Sequence, residues 1–256
     1  MYTAGFDIGT IFIKSCLLND GRIVASAIRR LDSEPATAIK HCLCEMLDSA
    51  GIWRWRVRRI AATGYGAGYV NKARYRYPEP LCIAEYFRFH GNGIRTVVDI
   101  GGLFMRVLIL DENGVLVESM TNHTCASGSG RLLETASDAL SIDFEAFSKN
   151  ASLSEDCPQL TSSCAVFAES EIISQFNAGV SADKIAASVA DSIAARAATV
   201  AAESRASGRT ALIGGVSMVK AVTERFEKKT GLRVEPLDFN PQLVSAWGAA
   251  LLAGKE

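Results

Sequence analysis

The stretch Phe6-Asp7-Ile8-Gly9-Thr10, which continues to Lys14-Ser15-Cys16-Leu17-Leu18-Asn19-Asp20-Gly21, has a near-copy later in the chain. The second copy reads Val98-Asp99-Ile100-Gly101-Gly102 and continues to Arg106-Val107-Leu108-Ile109-Leu110-Asp111-Glu112-Asn113-Gly114. In each copy an apolar strand ends in Asp-Ile-Gly, a basic residue follows, and a second apolar strand leads into an Asp/Asn/Gly turn. Each copy therefore predicts a β-hairpin. The duplication predicts two similar halves, with a cleft in which both glycine turns face one ligand.

Composition limits the classes of function. The chain has 256 residues, of which 48% are hydrophobic, enough to bury one or two substantial cores. Its formal net charge of -1 argues against nucleic acid as the main partner, because phosphate backbones are met by an excess of Lys and Arg. No uninterrupted apolar run reaches the roughly 18 residues that span a bilayer. The N-terminus enters a strand at once, so we expect a cytoplasmic protein with no membrane partner.

The seven cysteines do not resemble a secreted disulfide framework, because their number is odd and they are spread over a sizeable chain. Most should be buried small hydrophobes, and Cys16 and Cys82 are interpreted as core residues. Cys42 and Cys44 do not predict a metal site, because positions i and i+2 point to different sides of a helix. Cys157 lies in an Asp-Cys-Pro loop, and its role stays open.

Hydrophobic periodicity and turn residues predict the remaining elements. A third strand follows each hairpin, at 22–30 and at 115–120, and further strands are predicted at 58–62, 210–213 and 233–237. Helices are predicted at 36–50, 81–90, 132–140, 165–176, 182–206 and 241–253, with one more ending at Glu227. Ser33 and Pro35 are the start signals for the first helix. Gly91-Asn92-Gly93 marks the domain boundary: an N-terminal lobe of residues 1–92, joined by the C-terminal helix 241–256, and a C-terminal lobe of residues 93–240.

The two Asp-Ile-Gly turns have the chemistry of a nucleotide site. Gly9, Gly101 and Gly102 let the backbone approach a phosphate, Thr10 and Lys14 donate to it, and the carboxylates of Asp7 and Asp99 hold Mg²⁺ through water. Gly214 and Gly215 end a short strand where the chain can pass under an adenosine. A single Asp-x-Gly turn is more often just a turn, and the duplication is what favours a nucleotide cleft.

Cys125 and Cys164 form a second constellation. Each opens a predicted helix from a Gly/Ser-rich turn, where unpaired backbone N–H groups and the helix dipole favour an anion or a thiolate. A [4Fe–4S] cluster normally takes four cysteines, so two per chain do not hold one. A symmetric dimer supplies four, with the cluster on its twofold axis. Two buried structural thiols are the alternative.

Trp53 and Trp55 alternate with Arg54, Arg56, Arg58 and Arg59 in a short basic and aromatic stretch. The simpler interpretation is a solvated turn with one packed Trp. Binding of nucleic acid or of an acidic partner is the alternative.

The sequence resembles the family of 2-hydroxyacyl-CoA dehydratase activators, which also includes the ATP-binding subunits of benzoyl-CoA reductase. The most specific resemblance lies in two cysteine motifs, Asn122-x-x-Cys125-Ala126-Ser127-Gly128-Ser129-Gly130-Arg131-Leu132-Leu133-Glu134 and Ser163-Cys164-Ala165-Val166-Phe167-Ala168-Glu169-Ser170-Glu171. It extends over nearly the whole chain, through Asp7-Ile8-Gly9-Thr10, Ala62-Thr63-Gly64-Tyr65-Gly66, Asp99-Ile100-Gly101-Gly102, Gly214-Gly215-Val216 and Gly248-Ala249-Ala250-Leu251.

The resemblance implies an α/β, two-lobed actin-like, sugar-kinase-like and Hsp70-like ATPase fold with duplicated ribonuclease-H-like domains. It implies that Cys125 and Cys164 ligate one [4Fe–4S] cluster per dimer, in a homodimer or a pseudo-symmetric heterodimer. ATP and Mg²⁺ would bind at the two turns and at Gly214-Gly215, with Asp7, Asp99 and Glu169 serving hydrolysis. Electrons from a donor such as ferredoxin or flavodoxin would pass to a CoA-ester dehydratase or reductase in anaerobic metabolism.

Two departures from the family pattern concern hydrolysis. Ile11-Phe12-Ile13 follows Thr10 where the activators commonly have small hydroxyl residues. Leu103 and Phe104 stand where they have an amide and a carboxylate, so a group that orients the attacking water is missing. Nucleotide turnover is therefore expected to depend on Asp7, Asp99 and Glu169 alone, or to be slow. A small-molecule kinase, for a sugar or pantothenate, and a non-hydrolysing nucleotide-sensing subunit are the remaining alternatives.

Overall fold

The computed structural model describes residues 1–91, 93–122, 129–161 and 165–256. Its strands are β1 (Tyr2–Ile8), β2 (Phe12–Asn19), β3 (Arg22–Arg30), β4 (Val57–Thr63), β5 (Tyr75–Arg76), β6 (Thr96–Ile100), β7 (Met105–Leu110), β8 (Leu116–Thr121) and β9 (Thr210–Ile213). Its α-helices are α1 (Pro35–Ala50), α2 (Glu79–His90), α3 (Gly130–Leu140), α4 (Phe144–Ala151), α5 (Ala165–Asn177), α6 (Ala182–Glu203), α7 (Lys220–Thr230) and α8 (Val244–Lys255). Short 3₁₀ turns lie at Arg54–Arg56, Ala67–Tyr69, Gly215–Met218 and Pro241–Leu243.

The chain divides into two units. Unit 1 comprises Met1–Ile94, Leu110–Val117 and Asp238–Glu256, and unit 2 comprises Arg95–Ile109 and Glu118–Leu237. The first sheet has the order β3-β2-β1-β4-β5, and the second has the order β8-β7-β6-β9. In each sheet a hairpin partner runs antiparallel to the central strand and a later strand runs parallel to it. The predicted hairpins and the third strand of each meander are confirmed.

Helices cover both faces of the sheet in unit 1. Alternate residues of β1, including Phe6 and Ile8, pack with α1 in one apolar cluster. On the other face α8 lies so close that a Cβ on Gly5 would stand 2.0 Å from the Ala246 carbonyl oxygen. A Cβ on Gly248 would likewise stand 1.8 Å from the Cys82 carbonyl oxygen of α2. Glycine at these two positions permits the close packing of helix on strand and of helix on helix.

A large apolar cluster of unit 2 is built from β6, β7 and helices α3 to α7. Its central helix is α6, whose isoleucines and valines and most of whose alanines are buried as the periodicity predicted. By length and composition alone α6 is long and apolar enough to cross a membrane. However, 61% of its apolar 18-residue stretch is buried inside the protein. Its side chains pack in this core, as expected of an internal helix of a globular unit.

Three details of the elements differ from the sequence prediction. Glu34 caps α1, with its carboxylate accepting from the N–H groups of Ala36 (3.1 Å) and Thr37 (2.8 Å), whereas Ser33 was expected to begin this helix. The strand predicted at 233–237 is wrong, because this stretch forms one isolated bridge between Val234 and Thr210. Helix α4 was not predicted, and its N-terminus is capped by Asp143.

Candidate functional site

The first Asp-Ile-Gly turn joins β1 to β2. The register of the hairpin places Asp7 directly opposite Lys14, and Lys14 Nζ lies 2.7 Å from Asp7 Oδ2. The side chains are 4% and 13% exposed, so this ion pair is largely shielded from water and is strong relative to a surface pair. The turn is closed by the Gly9 N–H, which donates to the Phe12 carbonyl (3.0 Å). Asp7 and Lys14, predicted as separate ligand contacts, therefore form a pair.

Glycine is required at the bend of this turn. A Cβ on Gly9 would stand 2.7 Å from Lys14 Nζ and 2.9 Å from the Phe12 carbonyl oxygen. The missing side chain leaves room beside a cation and next to the half-buried Thr10. A phosphate group fits that combination, because backbone N–H, hydroxyl and ammonium groups all donate to anions.

The parallel strand β4 ends against the same carboxylate. Asp7 is in register with Thr63, and the next residue, Gly64, has φ +85°. A Cβ on Gly64 would stand 2.3 Å from Asp7 Oδ1 and 2.6 Å from the Ile8 carbonyl oxygen. The Gly66 N–H donates to that carbonyl (2.9 Å). Gly64 and Gly66 hold the backbone against Asp7.

Unit 2 repeats this arrangement at the second turn. Asp99 lies opposite Arg106, and Arg106 Nη1 lies 3.2 Å from Asp99 Oδ2. The Gly101 N–H donates to the Phe104 carbonyl (2.8 Å). The parallel strand β9 ends one residue before Gly214, which has φ +86° and would, with a Cβ, stand 2.9 Å from Asp99 Oδ1 and 2.4 Å from the Ile100 carbonyl oxygen.

The two glycines after β9 have different conformations. Gly214 adopts φ 86° and ψ 174°, a region that is essentially reserved for glycine. Gly215 begins a 3₁₀ turn, and the Ser217 hydroxyl donates to the Gly214 carbonyl (2.8 Å). The strand end therefore turns sharply away from the sheet, leaving both glycines partly exposed.

The predicted cluster ligand Cys125 lies outside the described residues, but both ends of its segment are anchored on the second turn. Before it, the Asn122 side chain accepts from the Met105 N–H (2.8 Å) and the Asn122 N–H donates to the Met105 carbonyl (2.9 Å). After it, the N–H groups of Gly130 and Arg131 donate to the carbonyls of Gly101 (2.8 Å) and Gly102 (2.9 Å). The described residues on both sides of 123–128 are thus bound to the same turn.

This anchoring corrects one expectation. The first N–H groups of α3 were expected to be unpaired and to favour an anion or a thiolate. Instead the second turn accepts from two of them, and the Leu132 N–H donates to the Ser129 carbonyl (3.1 Å). The first N–H groups of α3 are therefore paired with carbonyls of the protein. Two of these hydrogen bonds connect the helix to the Gly101-Gly102 turn.

The other predicted ligand, Cys164, also lies outside the described residues. The preceding Thr161 is tied to α5: its N–H donates to Glu171 Oε1 (2.9 Å) and Oε2 (3.2 Å), and its hydroxyl donates to Oε1 (3.1 Å). Glu169 is exposed on the same helix. Glu169 thus lies on the element that follows Cys164, while Asp7 and Asp99 lie at strand ends.

Most of the described cysteines have the character of structural thiols, whereas Cys44 is exposed. Cys16, Cys42 and Cys82 are buried, which confirms Cys16 and Cys82 as core residues. Burial raises the pKa of the Cys82 thiol to about 12 and raises the pKa of the Cys16 thiol still further. Burial also raises the pKa of the half-buried Cys157, so that this thiol is protonated at neutral pH. Among the residues that the structure describes, no group of three or more His, Cys, Asp or Glu side chains is arranged to hold a metal ion.

Leu103 and Phe104 occupy the second turn and are half-buried. The Phe104 ring lies against Arg106, with the guanidinium carbon 5.5 Å from the ring centroid. A guanidinium at this distance from an aromatic face is attracted by the ring quadrupole. Phe104 therefore supports the cation that pairs with Asp99, in a position where the family resemblance places a carboxylate.

Gly64, Gly66 and Asn122 were quoted as motif residues but not predicted as part of the site. The signal for Gly64 was present, because Thr63-Gly64 ends a buried strand just as Ile213-Gly214 does. No sequence pattern marks Asn122, because its hydrogen bonds to Met105 depend on where β8 ends relative to that residue.

The residues present fit a magnesium nucleotide. Each unit offers one buried carboxylate, one cation beside it and a pair of glycines that admit a close ligand. Carboxylates hold Mg²⁺ through its water ligands, and the cations and turn N–H groups suit phosphate oxygens.

The sequence matches the BadF/BadG/BcrA/BcrD ATPase family over residues 4–253. The activator of lactoyl-CoA dehydratase from Anaerotignum propionicum is 33% identical over 258 aligned positions, covering 99% of this chain and 97% of that protein. One of the benzoyl-CoA reductase subunits from Thauera aromatica is 30% identical over 200 positions, covering 76% of this chain and 70% of that protein.

Solved structures agree with this relationship. The activator of 2-hydroxyisocaproyl-CoA dehydratase from Clostridium difficile, with bound ADPNP, has a TM-score of 0.94 at 30% identity and covers 100% of this chain and 95% of that one. A ROK family glucokinase from Streptomyces griseus has a TM-score of 0.57 at 17% identity with both chains fully covered, which shows the fold alone. The fold is the actin-like ATPase fold, as the resemblance implied, and the chain belongs to the BadF/BadG/BcrA/BcrD ATPase family.

Proposed function

We propose that this protein is an ATP-driven, low-potential electron donor that activates a 2-hydroxyacyl-CoA dehydratase or a benzoyl-CoA reductase-type partner in the cytoplasm. The observation that carries the proposal is the anchoring of the Cys125 segment, through Asn122, Gly130 and Arg131, on the Gly101-Gly102 turn. A change at a phosphate-binding turn is thereby transmitted directly to a cysteine-bearing segment. Relatives that are named as dehydratase activators support the choice of partner.

The proposed site divides its residues by role. The nucleotide is held by backbone and cationic groups, hydrolysis is served by three carboxylates, and a subunit-bridging cluster in a homodimer or pseudo-symmetric heterodimer is held by two cysteines of each chain. A [4Fe–4S] cluster supplies a one-electron carrier, and Mg²⁺ neutralises charge on the phosphate oxygens. The nucleotide contacts are Gly9, Thr10, Lys14, Gly101, Gly102, Gly214 and Gly215; the carboxylates are Asp7, Asp99 and Glu169; the cluster ligands are Cys125 and Cys164.

The chain's own part in coupling follows from its contacts. Asp7 and Asp99 hold Lys14 and Arg106 in place beside the turns, so the cations are positioned before a phosphate arrives. When the Gly101-Gly102 turn shifts toward a phosphate, its carbonyls move with it and pull on the start of α3. Because Asn122 binds Met105 on the other side of the same turn, the movement reaches both ends of the segment that contains Cys125.

The deciding experiment is anaerobic purification followed by measurement of iron and acid-labile sulfide. We expect a brown dimer with about four irons per two chains. A colourless protein that takes up no iron after anaerobic reconstitution would sink the electron-carrier proposal and favour the small-molecule kinase.

Cysteine variants test the ligand assignment. Cys125→Ser and Cys164→Ser should each lose the cluster absorbance while retaining ATP binding. Cys44→Ser, which changes an exposed thiol on α1, is the matched control and should retain both. Loss of nucleotide binding in both ligand variants would show instead that these thiols are structural.

One observation favours a nucleotide-sensing subunit with weak hydrolysis as the second candidate. Phe104 packs on Arg106 in the second turn instead of supplying a carboxylate. Replacing Leu103 with Gln and Phe104 with Asp should then raise ATP turnover by about 10²-fold, the lower range for a positioned general base. Rapid ATP turnover by the native chain, unchanged in this variant, would remove the sensing alternative.

A further inference from the structure

The link between α1 and β4, together with the start of β4, carries five large side chains that the nucleotide turns and the cysteine segments do not use. They are called the basic-aromatic patch and comprise Trp53, Arg54, Trp55, Arg56 and Arg58. Trp53 is 75% exposed and Trp55 is 76% exposed, so the turn is solvated as predicted, but the expectation that one Trp packs is wrong. Two exposed indoles close together in one short turn, with arginines beside them, indicate a binding surface, because clustered exposed apolar side chains rimmed by polar ones mark interaction sites.

The backbone holds this patch in a fixed shape. Helix α1 ends at Gly51 (φ 63°), whose N–H donates to the Asp48 carbonyl (3.1 Å), and the Ile52 N–H donates to the Leu47 carbonyl (3.0 Å). The chain then forms a 3₁₀ turn, in which the Arg56 N–H donates to the Trp53 carbonyl (2.9 Å). The patch is thus preorganised, which lowers the entropy cost of binding a partner.

The start of β4 directs a further arginine outward. Tyr2 pairs with Val57 and Thr3 pairs with Arg59, and the register shift between them leaves Arg58 outside the ladder. Such bulges re-aim a side chain. The Arg56 guanidinium lies over the Tyr2 ring, 5.4 Å from its centroid, which fixes the neighbouring cation.

The positive charge of the patch is not compensated locally. Within the part of the chain that the structure describes, Arg54, Arg56 and Arg58 form no salt bridge. Arg59, by contrast, donates to the carbonyls of Ala253 (3.4 Å) and Gly254 (3.2 Å) and belongs to the fold. Three arginines are therefore available to a ligand on a chain whose formal net charge is -1.

The chemistry of the patch favours a protein as its occupant. Trp and Arg are the residues most enriched among those that dominate protein–protein binding energy. Nucleic acid is normally met by more cations than three, on a basic domain. A membrane-surface element segregates its apolar side chains onto one face, whereas here indole and guanidinium groups alternate.

We propose that the basic-aromatic patch binds a partner protein through an acidic surface whose carboxylates surround apolar side chains. The arginines pair with the carboxylates, and the indoles cover the apolar side chains between them. The proposal uses neither the nucleotide turns nor the cysteines, so it stands or falls independently of the electron-donor function.

The test uses the full chain and two synthetic helical peptides of the same apolar sequence, one carrying Glu and the other carrying Lys. Binding is measured by the emission of Trp53 and Trp55 and by calorimetry. The native chain should bind the Glu peptide. The Arg54→Glu/Arg58→Glu variant should bind it at least about tenfold more weakly, the loss typical of one central interface residue. The same variant should now prefer the Lys peptide.

Two controls make the result specific. The Arg22→Glu/Lys40→Glu variant changes the same net charge at other exposed positions of unit 1 and should bind like the native chain. Trp53→Ala/Trp55→Ala, followed by calorimetry, should weaken binding without shifting the thermal midpoint, because both side chains are exposed. The proposal is overturned if the native chain does not bind the Glu peptide or if charge reversal leaves binding unchanged. It is also overturned if a DNA duplex or phosphatidylglycerol vesicles bind the patch more tightly than the peptide.

Discussion

The turn at Gly9 and the turn at Gly101 share a backbone hydrogen bond, a buried carboxylate and a glycine of positive φ that ends the neighbouring parallel strand. They differ in the element that is hydrogen-bonded to the turn. The first turn is bound by the end of β3, where the Leu31 N–H donates to the Ile11 carbonyl (2.7 Å). The second turn is bound by the start of α3, where two N–H groups donate to the turn carbonyls. The shared features suit binding of one ligand type, and the difference gives the second turn a rigid element through which binding can act elsewhere.

The largest effect should come from the glycines that press on the carboxylates. Gly64→Ala and Gly214→Ala each combine a positive φ with a Cβ closer than 3 Å to backbone carbonyl atoms. Each should lower the free energy of unfolding by about 3–5 kcal/mol, from strain plus the steric displacement of a buried strand end. Urea unfolding, with its midpoint and slope, measures the loss.

Gly179→Ala is the matched control for this comparison. Gly179 has φ +86°, the same as Gly214, but a Cβ there meets no atom within 4 Å. Gly179→Ala should lower the free energy of unfolding by about 1 kcal/mol, which is the conformational penalty alone. If Gly214→Ala were no worse than Gly179→Ala, the contact with Ile100 would not constrain the site. A large difference between Gly64→Ala and Gly214→Ala would show that the two repeats are not mechanically equivalent.

The ion pairs should give the next largest effect and should separate the repeats. Asp7→Ala leaves the Lys14 ammonium without its carboxylate at a side chain only 13% exposed, and should cost about 3 kcal/mol. Asp99→Ala should cost less, because the Arg106 pair is longer (3.2 Å) and Arg106 also contacts the Phe104 ring. Both values are read from urea unfolding.

A double-mutant cycle checks the cause. Adding Lys14→Met to Asp7→Ala should recover part of the lost stability, because no charge is then left buried. Strict additivity of the two single effects would contradict a direct interaction and would assign the loss to packing around Asp7.

A smaller loss of stability is expected from substitution of Asn122, whose side chain accepts a hydrogen bond from the second turn. Asn122→Ala removes the acceptor of the buried Met105 N–H, and should cost about 1–3 kcal/mol. Asn122→Asp retains an acceptor oxygen and should lose much less. Faster hydrogen exchange of the Met105 amide in Asn122→Ala alone would support the anchoring, and equal exchange in both variants would contradict it.

Much of the fold follows from local patterns. The spacing between Asp7 and Lys14 equals that between Asp99 and Arg106, and a four-residue turn in an antiparallel hairpin makes the two members of each pair face one another. The pairing was thus available from the sequence, although Lys14 was assigned to the ligand and not to Asp7. The strand predicted at 233–237 failed because Pro236 lacks a donor and limits the ladder, leaving the single bridge at Val234.

Other parts of the site depend on tertiary contacts that periodicity does not encode. The carbonyls of Gly101 and Gly102 are distant in sequence from the α3 N–H groups they bind, so the helix start was expected to be unsatisfied. The exposure of Trp53 and Trp55 depends on how α1 ends and where β4 joins the sheet. The eight-residue helix α4 is too short to show a clear helical period. Cys125 and Cys164 lie outside the described residues, and their ligand role stays a prediction.

The smallest effect tests the aromatic residues of the two turns. Phe104 contacts the guanidinium of Arg106, which pairs with Asp99, whereas Phe12 contacts Arg30 (6.0 Å), which lies outside the first ion pair. Each Phe→Leu substitution should remove about 0.5–1 kcal/mol of cation–π attraction. Phe104→Leu should be non-additive with Asp99→Asn, because both act on one guanidinium, while Phe12→Leu should be additive with Asp7→Asn. Unfolding free energies of the single and double variants measure both cycles. Equal coupling in the two cycles would remove the distinction, and coupling confined to the second turn would identify Phe104 as a support of its ion pair.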